Sequence, residues 1–270
     1  MSEEILLDVQ NVSQTLGTNN VLKNLSFQVV NRVRPGVETG QIIGLLGPSG
    51  VGKTRLLRII AGLDAPDTGR VVGPGGQPLP AGSVGVVFQN YPLLRHHTVQ
   101  ANLEVAGRAN GASRAEARER ATTLLKRFRL DGRASYYPAQ LSGGQRQRVA
   151  IAQQLVKQKT FMLLDEPFSG LDPAALEDVS MLLREVAHMD DLNTLVIVTH
   201  DVRAALLCAD TLLLLGRDQG PDGAVVPGAR IVETVDLVRL GLAWRPPTEL
   251  TRDPAFLDLE ARLEARFRGL

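Results

Sequence analysis

The chain has 270 residues, 44% hydrophobic and 22% charged, enough to bury a sizeable core as one large domain or two small ones. Its 30 basic and 29 acidic residues leave a net charge of +1, which removes any global electrostatic case for nucleic acid and leaves room only for a local basic groove. One cysteine, Cys208, excludes an internal disulfide and fits a reducing compartment. Met1-Ser2-Glu3-Glu4 lacks the features of a signal peptide, and no run approaches the ~18 apolar residues of a spanning helix, so another chain must cross a membrane if one matters.

Alternating residues predict strands over Ile5 to Val12 and Leu25 to Val29, followed by a charged, turn-rich connection from Asn31 to Gly36. The apolar run Ile42-Ile43-Gly44-Leu45-Leu46 predicts a buried strand, and Arg55 to Ala61 has helical periodicity. Gly62 to Gly69 stops that helix, Pro74 to Pro78 marks a turn, and Ser83 to Phe88 returns as a strand ending at Gln89. From about 90 to 158 the character is helical, with a Ser113-x-x-Glu116 capping box opening a helix to about Phe128. A second helix is expected from Arg146 to about Val156. Strand and helix then alternate: Phe161 to Leu164, Pro173 to His188, Leu195 to Thr199, Val202 to Ala209, Thr211 to Leu215. The tail from about 220 is turn-rich and ends in an amphipathic helix whose stripe, Phe256, Leu259, Leu263 and Phe267, is expected to pack on the chain's own domain.

Three stretches carry chemistry. Gly47-Pro48-Ser49-Gly50-Val51-Gly52-Lys53-Thr54 lies between the predicted strand and helix, the context of a phosphate-binding P-loop. Its glycines let backbone N–H groups turn in around an anion at a positive helix end. Lys53 is suited to β- and γ-phosphates and Thr54 to Mg²⁺. Asp165 and Glu166 end a buried strand, where open α/β sheets bind ligands. Asp165 suits the Mg²⁺ shell, while Glu166 can orient or deprotonate a water in line with the γ-phosphate. Leu141-Ser142-Gly143-Gly144-Gln145 places Ser142 as a helix cap and exposes N–H groups at Gly143 and Gly144, a second phosphate-binding surface.

The P-loop, Gln89, Leu141 to Gln145, Leu163-Leu164-Asp165-Glu166-Pro167, Ser169-Gly170-Leu171-Asp172 and Thr199-His200-Asp201 together resemble, in order and spacing, the ATP-binding-cassette (ABC) ATPase subunits of membrane transporters. The resemblance covers about residues 5 to 216. It implies an α/β fold: a P-loop NTPase core with an N-terminal antiparallel β subdomain and an inserted α-helical subdomain. The expected ATPase domain is 1–220, with the helical subdomain at about 90–158, and 221–270 is a C-terminal extension. ATP and Mg²⁺ are the implied ligands. Two cassettes would pair head to tail, so that Ser142, Gly143, Gly144 and Gln145 of one protomer complete the site at the P-loop of the other. By the same resemblance Gln89 links Mg²⁺ and water to a transmembrane partner, His200 contacts the γ-phosphate, and Asp172 lies at the dimer contact.

The implied function is ATP hydrolysis that drives separate transmembrane permease subunits, most like importers of the nitrate, sulfonate and taurine group, with a solute-binding protein as a further partner. The chain would then be cytoplasmic, peripheral on the inner face of the cell membrane, with no nucleic-acid partner. The alternative is a soluble cassette, such as one serving iron–sulfur assembly. Among departures from the family pattern, Leu16 stands where an aromatic usually stacks on adenine, so ring stacking is lost there. Arg55 and Gln153 are unusual at their positions, and the turn from Asn31 to Gly36 is lengthened. Tandem His96 and His97 supply too few ligands for a metal and are expected to be exposed near the transmembrane contact.

Overall fold

The structure is a computed structural model that describes residues 4–31, 40–80, 82–157, 159, 161–189, 193–222 and 224–267. Most of the lengthened connection, from 32 to 39, lies outside the described residues.

Strands β1 (Ile5–Leu16) and β2 (Asn19–Val30) form an antiparallel hairpin. Leu7, Val9 and Val12 on one strand and Leu22, Leu25 and Val29 on the other are buried, which is the alternation of a half-buried sheet. Both strands exceed their predicted lengths because Gly17, at φ 61°, turns the chain tightly enough for Leu16 to pair with Asn19. Asn11 and Asn24 have φ of 50° and 46°, at irregularities in the ladder that asparagine tolerates.

The core sheet begins with β3 (Gln41–Leu46), which is buried throughout and leads through the P-loop into α1 (Lys53–Ile60). The next strand, β4 (Thr68–Val72), joins β1 at the edge of the small sheet, giving the order β2-β1-β4. Its sequence reads as a turn because Thr68, Gly69 and Arg70 are exposed and carry no apolar alternation. After β5 (Gly85–Val87) comes the helical insert, with α2 (Val99–Ala109), α3 (Arg114–Arg127) and α4 (Gly143–Val156) packed on one another. The expected capping box is present, with Ser113 Oγ accepting from Glu116 N and Glu116 Oε2 accepting from Ser113 N.

The chain then alternates through β6 (Phe161–Asp165), α5 (Pro173–Ala187), β7 (Thr194–Thr199), α6 (Val202–Cys208) and β8 (Thr211–Gly216). The strand order β5-β6-β7-β3-β8-β9 is parallel except for β9 (Arg230–Asp236), which pairs antiparallel with β8. The core sheet therefore extends beyond residue 220. A short α7 (Pro247–Leu250) precedes α8 (Pro254–Phe267), which lays Phe256, Leu259 and Leu263 onto α6 and the main core. Ion pairs of Arg203 with Glu260 and of Arg262 with Glu233 further tie α8 to α6 and β9.

Two apolar clusters divide the interior at the core sheet. One face of the sheet, with Leu45, Val196 and Leu213, joins the small sheet to Leu56 and Leu57 of α1. The other face, with Leu46, Ile197 and Leu214, joins α5, α6, α8 and the helical insert. The P-loop leaves β3 between these two masses, so packing on both sides fixes its position. No described helix is long and apolar enough to cross a membrane.

Candidate nucleotide site

The P-loop is held by close approach. A Cβ on Gly47 would lie 2.7 Å from the Leu215 carbonyl oxygen at the end of β8. Gly52, the residue before α1, has φ 119°, a conformation that favours glycine. Lys53 is only 6% exposed, and its ammonium donates to the carbonyls of Gly47 (2.7 Å) and Pro48 (3.1 Å). It also lies 3.4 Å from Glu166 Oε1. Burial holds the Lys53 pKa below the ordinary lysine value, against the opposing pull of Glu166 and Asp165.

Asp165 ends β6 with both carboxylate oxygens near the Thr54 hydroxyl, at 3.3 and 3.2 Å. Burial raises its pKa above the usual carboxylate range, with the Thr54 hydrogen bond working the other way. At Glu166 the backbone turns into the left-handed region, φ 48°, while its N–H donates to Val198 O. That turn sends the two neighbouring carboxylates to different partners. Glu166 Oε2 accepts from Thr199 Oγ1 at 3.2 Å and lies 2.9 Å from His200 Nδ1.

Residues distant in sequence thus converge: Lys53 and Thr54 from the start of α1, Asp165 and Glu166 from the end of β6, and His200 from the end of β7. The Gln89 amide, by contrast, donates to Ser169 Oγ at 3.1 Å. Asp172 caps α5 by accepting from Ala175 N. His96 and His97 are exposed. Leu16 sits at the β1–β2 tip, 39% exposed.

Ser142 and Gln145 form a reciprocal capping box at the start of α4, and at Gly143 and Gly144 an added Cβ would meet nothing within 4 Å. One connection that the sequence did not reveal links this helix to the carboxylate loop: buried Gln147 donates to Pro167 O at 2.8 Å. Polar residues inside a helix carry no local signal for such a partner.

The residues present suit a nucleotide phosphate with Mg²⁺. The Asp165 carboxylate and Thr54 hydroxyl are hard oxygen donors on adjoining elements, appropriate to a cation that keeps several water and phosphate ligands. Lys53 rests on main-chain carbonyls whose place phosphate oxygens can take.

Residues 30–169, about half of the chain, match the family described as "ABC transporter". The chain belongs to the ABC transporter family. It is 40% identical over 217 residues to a sulfate/thiosulfate import ATP-binding protein CysA of Thermosynechococcus vestitus, covering 79% of this chain and 62% of that protein. It is 39% identical over 211 residues to a probable sulfate/thiosulfate import ATP-binding protein CysA of Chlorella vulgaris, covering 77% of this chain and 86% of that protein. The cassette thus spans about six-tenths of the length of the first of these relatives. Among solved structures it resembles the dimeric post-hydrolysis state of the ATP-binding cassette MJ0796 bound to ADP and Pi, with TM-score 0.66 and 30% identity, covering 86% of this chain and 99% of that chain. The fold is therefore that of an ABC ATPase cassette, as the resemblance implied.

Proposed function

We propose that this cassette binds and hydrolyses ATP with Mg²⁺ and thereby drives transmembrane permease subunits, as the ATPase of an importer. The carrying observation is the convergence of Lys53, Thr54, Asp165, Glu166 and His200 at the P-loop. In this reading residues 1–220, including the helical subdomain at 90–158, are the ATPase proper. Residues 221–270 are an extension that lends β9 to the core sheet and α8 to its flank.

P-loop N–H groups and the α1 N-terminus bind the phosphates, and Lys53 exchanges the Gly47 and Pro48 carbonyls for phosphate oxygens. Thr54 and Asp165 would hold Mg²⁺, with Gln89 joining them once it leaves Ser169. When bound, the ion polarises phosphoryl oxygens. Glu166 orients the attacking water and accepts its proton, while His200 holds the Glu166 carboxylate and faces the γ-phosphate. Ser142, Gly143, Gly144 and Gln145 of a second cassette complete the site, with Asp172 at the contact. The open space around Gly143 and Gly144 supports this: a helix N-terminus with room at its glycines can receive a phosphate from outside.

The relatives' names favour import over the iron–sulfur alternative. Sulfate and thiosulfate in those names, like the nitrate and sulfonates expected from the sequence, make an oxoanion the proposed cargo class. That cargo would be carried by the permease and delivered by a solute-binding protein, with the cassette peripheral on the cytoplasmic face of the membrane. The test is Glu166→Gln, which should retain ATP binding and lower turnover by about 10² or more. Near-normal hydrolysis would remove Glu166 from the base role.

A further inference from the structure

The strand order gives the site a direction. Asp165, Glu166 and His200 follow β6 and β7, all on one side of β3, so in the proposed function the hydrolysed end of the nucleotide would lie on that side. The rest of the nucleotide would then extend from the P-loop toward the other side. There β8 passes directly beneath the loop, as the 2.7 Å approach of Leu215 O to a Gly47 Cβ shows, and β2 adjoins its far end, where a Cβ on Gly52 would meet Leu22 and Val21 at 3.0 Å.

Arg217 stands at the exit of β8 on this second side, and its guanidinium donates to the Gly50 carbonyl at 3.3 Å. A guanidinium carries five N–H donors on a flat cation, and this bond engages one of them. The connection that carries it is held at several points. Arg230 grips Asp218 through two hydrogen bonds of 2.8 and 2.7 Å, Val226 N donates to Asp218 O, and Ala229 exchanges backbone hydrogen bonds with Val21 and Lys23 of β2. Asp218, the carboxylate next in sequence, is thus committed to Arg230, and its pKa lies below the usual range chiefly because of that hydrogen bond. Leu16, the aliphatic residue at the expected base contact, belongs to the same β1–β2 hairpin that this connection is tied to.

We infer that Arg217 is a nucleotide-binding residue that places its guanidinium plane against the purine base, supplying from the β8–β9 connection the flat contact that Leu16 cannot. This rests on the ATP-binding function proposed above and names a specificity residue for the same site. A guanidinium is suited to the task because it stacks on aromatic faces and keeps its charge.

The experiment compares ATP with inorganic tripolyphosphate, which carries the phosphates without the base, by calorimetry with Mg²⁺ in the Glu166→Gln background. Arg217→Ala should weaken ATP binding about tenfold while tripolyphosphate binding changes less than about twofold. Arg217→Lys, which keeps charge but not the plane, should behave like Arg217→Ala. Adding Leu16→Tyr to Arg217→Ala should recover most of the lost ATP affinity. Equal weakening of both ligands would make Arg217 a support for the P-loop only, and unchanged ATP binding or full rescue by lysine would likewise overturn the base contact. A chain with Arg217 intact that binds tripolyphosphate but gains nothing from the base would overturn Arg217 alone; one that binds neither ligand would overturn the ATP-binding function as well.

Discussion

Gly47 and Gly52 of the P-loop are crowded by their own chain, whereas around Gly143 and Gly144 of the second loop there is open space. Leu215 lies under the first loop, Leu22 and Val21 crowd its end, and Lys53 is tied to two of its carbonyls and to Glu166. The second loop makes its local hydrogen bonds, Ser142 with Gln145, and presents two glycines with nothing against them. Both are glycine-rich helix N-termini, yet glycine serves different ends in them. At Gly47 and Gly52 it resolves steric conflict inside the fold, and at Gly143 and Gly144 it leaves room for something to approach. A nucleotide shared between two copies, as proposed above, would account for that difference.

The most demanding test of this contrast mixes two disabled chains. Lys53→Ala and Ser142→Arg should each lower turnover by about 10² or more as pure proteins, through loss of charge stabilisation in one and a blocked helix end in the other. Mixed, they should regain part of the activity, because one of the two composite sites in a mixed dimer has neither change. A mixture as inactive as its components would sink the assignment of Leu141–Gln145 to the opposite site.

Single methyl groups probe the same contrast more gently. Gly47→Ala forces a Cβ toward the Leu215 carbonyl and should destabilise the fold by about 1–3 kcal/mol in chemical denaturation. Gly144→Ala meets open space and should leave stability within about 0.5 kcal/mol or raise it, since alanine favours a helix, while still reducing turnover. Equal stability losses would show that both loops are internal structural elements.

The smallest effect is electrostatic. The Asp165 carboxyl has its pKa raised by burial, so its contribution to stability is fully present below the ordinary carboxylate pKa and is lost as pH rises through the raised value. Without Mg²⁺, Asp165→Asn should therefore have a higher Tm than the parent chain at neutral pH. That advantage should disappear in acid, below about pH 4. A pH-independent difference would mean that hydrogen bonding to Thr54, and not burial of charge, governs this residue.

Relationships between residues close in the chain are legible in its sequence. The P-loop announces itself because strand, glycines and helix are contiguous, and the Ser142–Gln145 box because its partners are three residues apart. The apolar stripe of α8 specifies a buried face, which packs as expected. Strand β4 is hidden by exposed, turn-like residues. Strand β9 is hidden as well, since an edge strand with one buried position, Val235, needs little apolar alternation.

Residue types and their spacing are enough to nominate the groups proposed for phosphate chemistry, and to place them at the ends of strands and the starts of helices. Which of them touch is a matter of tertiary structure. Glu166 meets His200 and Lys53, Gln89 meets Ser169, Gln147 meets Pro167 and Arg217 meets Gly50, because the order of parallel strands brings their ends together. Strand order is set by the burial of whole faces, a sum over many residues to which no single motif bears witness. A hydrogen bond across 167 positions, such as that from Arg217 to Gly50, is a consequence of that sum.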